Sequence, residues 1–437
     1  MCPASGVGLG TAGFLPRFSK GSQAENIASL DTSIFAFPTD LHDEGTGAVL
    51  DNVQQRAGLG GLTLATVYHE ARDLFPHNPR GKVRFLEGGV AYFRPDPARY
   101  RGLSLEPRPA RLVEETDVLA ELATAAEERG LAVHAWTVFL HSDWVRDPRP
   151  DVAEQNVFGD PLLTDLCPAN PAVRDYIRAL TGDIASRGVR TVVAESLHYH
   201  PLEHGFHHER YFLELGPRAR FLLGLCFCEH CLAAAREQGA DGEAVRRFAR
   251  EELERAFSGG EKDDAEELTL AAARGLAGGE LGGYLNARAA VVTSLGAEAA
   301  EAAASEGARF DFMDASGAIK GYATGRPEGG PAPEIAWRLG VDLPALAEAC
   351  GGLEAIAYAA DPERVRLDLE TYGALLTDGA TLAAALRPMP PDCDSSANLA
   401  AKLRLASDLG LERVDLYHYG LAPLAALDLI HAAVDAV

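Results

Sequence analysis

The chain has 437 residues, 47% of them hydrophobic and 24% charged, enough for a full core and incompatible with bulk disorder. Against 40 basic residues stand 64 acidic ones, and the formal charge of −24 repels phosphate backbones and anionic bilayers, which argues against nucleic-acid and membrane-surface functions. No apolar run approaches the ~20 residues of a membrane span, and the Gly/Ser-rich start lacks the features of a signal peptide, so a cytoplasmic protein is expected.

Residues 1–30 read as a flexible lead and 31–437 as one domain. Short apolar runs alternate with helical patterns from there on. The runs are 33–37 (SIFAF), 62–67 (LTLATV), 132–139 (AVHAWTVF), 190–194 (RTVVA), 308–313 (ARFDFM), 355–359 (AIAYA), 381–386 (TLAAAL) and 413–417 (RVDLY). Helical patterns cover 47–57, 114–129, 171–186, 343–349, 362–377, 397–409 and 423–436, the third opened by an Asn170 cap with Pro171 at its first position. Residues 72–109 read as loop with a short hairpin, 142–165 as a polar loop, and 196–231 as a long insertion. The Ala/Glu/Arg-rich stretch 232–307 reads as a solvated helical excursion, a surface on which a homo-oligomer could form. Eight strand-then-helix units without a glycine-rich dinucleotide turn predict a (β/α)8 TIM barrel with insertions after strands 2 and 4.

Active sites of such barrels lie at the C-terminal strand ends. That ring is predicted to hold Asp40, Tyr68 with His69, His134 with Trp136 and His141, Glu195 with His198 and His200, Asp314, Tyr358 with Asp361, Arg387, and Tyr417 with His418. Carboxylates for acid/base work beside aromatic platforms suit a polyhydroxylated ligand such as a sugar. Asp361, followed by Pro362, also reads as a helix cap, and Asp314 is open to a similar reading.

The most specific signal is Cys226-Phe227-Cys228-Glu229-His230-Cys231, three thiols in six residues. Tetrahedral zinc takes four such ligands, and Cys167, at the start of the helix before strand four, is the expected fourth. Four thiolates leave no open position, so the zinc would be structural. From His198 to Glu209 the chain carries five histidines without a His-Glu-x-x-His pattern. They suit a loop over the substrate, or a second, catalytic metal.

The segment CPANPAVRDYI, the glutamate ending strand four, and CFCEHC together resemble the zinc-bearing barrel of the glycoside hydrolase family 42 β-galactosidases. The resemblance covers roughly residues 166–232. It implies Cys167, Cys226, Cys228 and Cys231 as zinc ligands and Glu195 as general acid/base. Two positions depart from that family. Its asparagine before the glutamate is Ala194 here, and strand seven ends in Arg387-Pro388 without the family's nucleophilic glutamate.

Hydrolysis of a glycoside needs a second carboxyl group. Asp314 is expected to face Glu195 across the barrel mouth, with Asp361 as the other candidate. The expected function is a glycosidase-like hydrolase acting on a carbohydrate. The alternatives are a metal-dependent lyase, isomerase or hydrolase using the histidine loop, and a catalytically silent carbohydrate-binding barrel.

Overall fold

The computed structural model of the protein describes residues 30–142, 149–202, 210, 212–259, 267–320, 324–377 and 379–437; the expected flexible lead, Leu30 apart, lies outside them. Eight strands build the barrel: β1 (Asp31–Ala36), β2 (Gly61–Tyr68), β3 (Ala132–Val138), β4 (Thr191–Glu195), β5 (Arg309–Asp314), β6 (Gly352–Ile356), β7 (Thr381–Leu386) and β8 (Arg413–Leu416). Each pairs in parallel with its neighbours, and β1 pairs with both β2 and β8, which closes the sheet. The fold is the expected (β/α)8 barrel. A bulge between Ala65 and Val67 irregularises β2 just below the mouth.

Successive strand residues point to opposite faces of the sheet, and this parity sorts the chemistry. Outward-facing Leu62, Leu64, Val192, Ala194, Phe310 and Phe312 pack under the helices. The inward-facing residues form layers. The lower layer is ionic: the Arg413 guanidinium, 3% exposed, lies 2.9 Å from Asp311 and 2.8 Å from Glu354, and its Nε donates to Asp415. Thr63 donates to Asp415, and its hydroxyl lies 2.8 Å from that of Ser33. Above this layer come Phe35, Ala65, Trp136, Val193, Met313, Ile356 and Ala385, an apolar plug that carries the mouth.

Several boundaries differ from the sequence reading. The sixth strand is Gly352–Ile356, not 355–359, so Tyr358 and Asp361 sit on the loop beyond it. Pattern 114–129 is a turn, Leu112–Glu115, then a helix Val118–Glu127 whose Asp117 cap accepts from the Ala120 amide. The loop 142–165 contains an antiparallel pair, Ala153–Gln155 with Pro161–Leu166. After β2, Ala71–Leu74 pairs with Val83–Leu86 in the expected hairpin.

The stretch 232–307 is not uniformly solvated. Its last helix, Glu280–Ser305, buries Leu285, Val292, Leu295, Ala299 and Ala303. The helix is the barrel's own β4-to-β5 crossover. Small residues permit the contact: a Cβ on Gly296 would meet Leu346 at 2.9 Å. Composition rich in Ala and Glu read as solvated because Ala is compatible with either face. The helices Glu229–Glu237 and Gly242–Phe257 form the true excursion, over a separate apolar cluster that includes Val245, Leu253 and Tyr284.

Candidate active site and metal-ligating clusters

A cavity of about 1220 Å³ opens at the C-terminal ends of the strands. Glu195, last residue of β4, lies on its wall. The next residue, Ser196, adopts a left-handed backbone (φ 57°), which turns the chain sharply past the carboxyl group. The Trp136 indole N–H donates to Glu195 Oε2. Burial pushes the Glu195 pKa up, against the lowering influence of the Trp136 bond and of His141.

Aromatic rings frame this carboxyl group. Trp136 meets Phe35 edge-on at 5.0 Å, Tyr68 at 4.7 Å and Tyr417 at 5.9 Å, and Tyr358 stands 5.9 Å from Tyr417. Tyr68, Trp136, Tyr358 and Tyr417 all line the cavity, as do His69, His198 and His200. The His198 Nδ1 lies 2.8 Å from the Tyr199 carbonyl, which assigns it as the protonated nitrogen. Burial lowers the His198 pKa to about 4, so the ring is neutral, and its Nε2 has no hydrogen-bond partner among the described residues.

Other expected site residues are placed elsewhere. Asp314 has the opposite parity to Met313, whose side chain lines the cavity. Its carboxylate points into the helix layer, where it accepts from the Tyr372 hydroxyl and, at 3.0 Å, from the Ser316 hydroxyl. The expected opposition of Glu195 and Asp314 is therefore corrected. Burial also raises the Asp314 pKa, the reverse of a carboxylate held ionised. Asp361 is exposed and caps the helix Pro362–Leu375, accepting from the Glu363 amide at 3.0 Å.

His134 faces inward but sits in the ionic layer below the mouth, its pKa lowered by burial and by Arg413. Asp40 is fully buried at the first helix, accepts from the Phe37 amide at 2.9 Å, and has its pKa pushed up by burial to about 8. His418 packs 4.1 Å from Phe37, under the aromatic wall. Arg387 makes a cation–π contact, 4.9 Å above Tyr358, while its Nε binds Asp392 at 2.7 Å.

Two residues absent from the sequence reading belong to the site. Asp73, on the hairpin after β2, lines the cavity half-buried, and burial raises its pKa. The order Ala71-Arg72-Asp73-Leu74 carries no alternation that would mark it, since two polar residues are adjacent. The other is Asp165, at the end of Pro161–Leu166. His141 and His200 each bring a ring Nδ1 to its Oδ1, at 3.2 and 3.3 Å. Of the five-histidine segment, residues 203–209 lie outside the described residues.

The four cysteines converge as expected. Cys167 precedes the helix Pro171–Ala185, while Cys226, Cys228 and Cys231 wrap the start of Glu229–Glu237. The Cys167 Sγ lies 3.4 Å from that of Cys228, 3.5 Å from Cys231 and 4.0 Å from Cys226. Ligands ~2.3 Å from a tetrahedral ion stand ~3.8 Å apart, so the set fits a metal. The Gln155 amide donates to Cys226 Sγ at 3.3 Å, as expected around a thiolate. Burial pushes the Cys167 and Cys226 thiols up, whereas hydrogen bonding from its three neighbours pulls Cys228 down.

No protein-family model matches the sequence, and no curated protein matches it. Among solved structures, the chain is similar to the catalytic domain of β-amylase from Paenibacillus polymyxa, with a TM-score of 0.50 and 11% identity over 91% of this chain and 94% of that one. A β-galactosidase from the psychrophilic Marinomonas ef1 gives a TM-score of 0.47 and 12% identity, over 89% of this chain and 54% of that one. At 11% identity, the likeness to the β-amylase domain shows the barrel fold and nothing finer.

Proposed function

We propose that this protein is a glycoside hydrolase-like enzyme that cleaves a carbohydrate or glycoside in the cytoplasm, with Glu195 as general acid/base. The observation that carries the reading is a glutamate on the wall of a deep aromatic cavity, its pKa raised by burial. A general acid must keep its proton near neutral pH, and burial against aromatic rings is a direct way to achieve that. The rings of Trp136, Tyr358 and Tyr417 on the cavity wall supply apolar surface for sugar C–H groups.

The second carboxylate is assigned to Asp73. It is the other half-buried carboxyl group on the cavity wall among the described residues, since Glu214 and Glu267 are exposed. Zinc at Cys167, Cys226, Cys228 and Cys231 braces the β4 corner without entering the chemistry.

A panel of aryl glycosides tests the assignment. Glu195→Gln should lose turnover of substrates with poor leaving groups by ~10²–10⁴-fold and retain binding. Asp73→Asn should be rescued by azide if Asp73 attacks carbon. Sugar binding without turnover in the unmodified protein would replace the enzyme reading by a silent binding barrel. Full activity of Glu195→Gln would remove Glu195 from the mechanism.

A further inference from the structure

We propose that His141, Asp165 and His200 bind a divalent transition-metal ion at the edge of the cavity, with open positions for oxygen donors of the ligand. The three donor atoms lie within 4.8 Å of one another, and all three residues are buried. Two imidazoles and one carboxylate form a set that suits zinc, iron(II), manganese or cobalt and leaves coordination sites vacant.

The spacing fits ligation of one shared ion as well as hydrogen bonding. Ligands ~2.1 Å from one ion stand ~3.0–3.4 Å apart at octahedral to tetrahedral angles. His141 Nδ1 and His200 Nδ1 are 3.2 and 3.3 Å from Asp165 Oδ1, inside that range.

The backbone fixes the three residues before any ion arrives. His141 and Asp165 form an antiparallel bridge, flanked by the Ser142 amide on the Thr164 carbonyl at 2.8 Å and the Leu166 amide on the Leu140 carbonyl at 2.8 Å. The Thr164 hydroxyl donates to the other oxygen of Asp165 at 3.1 Å, leaving Oδ1 turned to the imidazoles. Such outer-shell support is what orients metal ligands. His200 itself lines the cavity, together with Glu195 and His198, so an ion on His200 meets a bound ligand.

An independent observation points the same way. Glu154 is fully buried, accepts from the His200 amide at 3.3 Å through Oε1, and leaves Oε2 without a hydrogen-bond partner among the described residues. Buried acidic groups are thus gathered where one cation would balance them. The site stands independently of the role given to Glu195.

The test uses full-length protein, stripped of labile metal and titrated with Co²⁺. Wild type should bind Co²⁺ in a form whose visible spectrum lacks thiolate charge transfer, in addition to any ion held by the cysteines. Asp165→Asn, close in shape and able to fold, and His200→Gln should each weaken that binding at least ~100-fold, while Cys228→Ser leaves it intact. Absence of non-thiolate Co²⁺ binding in wild type would overturn the proposal, as would binding unchanged in both variants. Activity is not needed for either readout, so a failure here is distinguishable from a failure of the glycosidase reading.

Discussion

Replacing Trp136 by Phe isolates the one hydrogen bond that opposes protonation of Glu195. The indole N–H donates to Glu195 Oε2, and Phe keeps the ring contacts with Phe35 and Tyr68 but has no donor. A hydrogen bond to a charged group is worth ~1.5–3 kcal/mol, and ~1.4 kcal/mol corresponds to one pH unit. Because the carboxyl group is partly open to the cavity, the lower end of that range applies. The titration midpoint of Glu195 should therefore rise by about one unit. The protonated acid then survives to higher pH, so the basic limb of kcat/KM moves upward, whereas the maximal rate falls through lost packing. Carboxyl-carbon NMR, with Glu195→Gln identifying the resonance, reads the midpoint without a substrate. Water entering the space left by the indole would lower the pKa instead. A midpoint that falls or stays fixed would show that solvation, not the Trp136 bond, sets the proton affinity.

Four further outcomes are expected. Arg413→Met leaves Asp311, Glu354 and Asp415 without their shared cation, and denaturant unfolding should show a loss of ~3–5 kcal/mol. In Asp314→Asn, whose carboxylate faces the helices, thermal stability should drop by ~1–3 kcal/mol with kcat/KM unchanged. Asp40 is protonated in the folded chain up to about pH 8 but ionised in the unfolded chain above its usual carboxylate range, so stability falls as pH rises through that window. Asp40→Asn should lessen this slope by up to ~1.4 kcal/mol per pH unit, measured by urea unfolding at several pH values. Elemental analysis of Cys228→Ser should show the loss of one zinc equivalent, with a lowered melting temperature.

The alternation of apolar runs with helical patterns made the eight units legible, because barrel strands buried on both faces leave continuous Val, Ile, Leu and Ala runs. The cysteine cluster was legible because thiol spacing in a turn is a local property. Asp314 was misread for a reason equally local: the end of a run marks a height in the barrel, whereas strand parity decides the face. Met313 faces the cavity and Asp314 the helices, and counting alternate residues back through ARFDFM, with Asp311 in the ionic layer, distinguishes them. The sixth strand slipped by three residues because AIAYA and GLEAI are equally apolar, apart from one buried glutamate, Glu354, that only Arg413 explains. Asp165 could not be found in sequence at all. Its partnership with His141 and His200 depends on a backbone bridge between segments with no shared periodicity.

The pairing of Asp31 with Arg413 means that the barrel cannot close until β8 has been made. Between the emergence of β1 and that of β8, 382 residues (413 − 31) must be added; at ~5–20 residues per second this takes roughly 20–80 s. Throughout that interval one edge of β1, with its apolar SIFA stretch, lacks a strand to pair with. Asp311 and Glu354 lack their shared cation until then, because Arg413 lies on β8. The interior acids gain their shared cation only when Arg413 joins the sheet, so a truncation removing β8 takes away both the partner of β1 and the charge that balances Asp311 and Glu354.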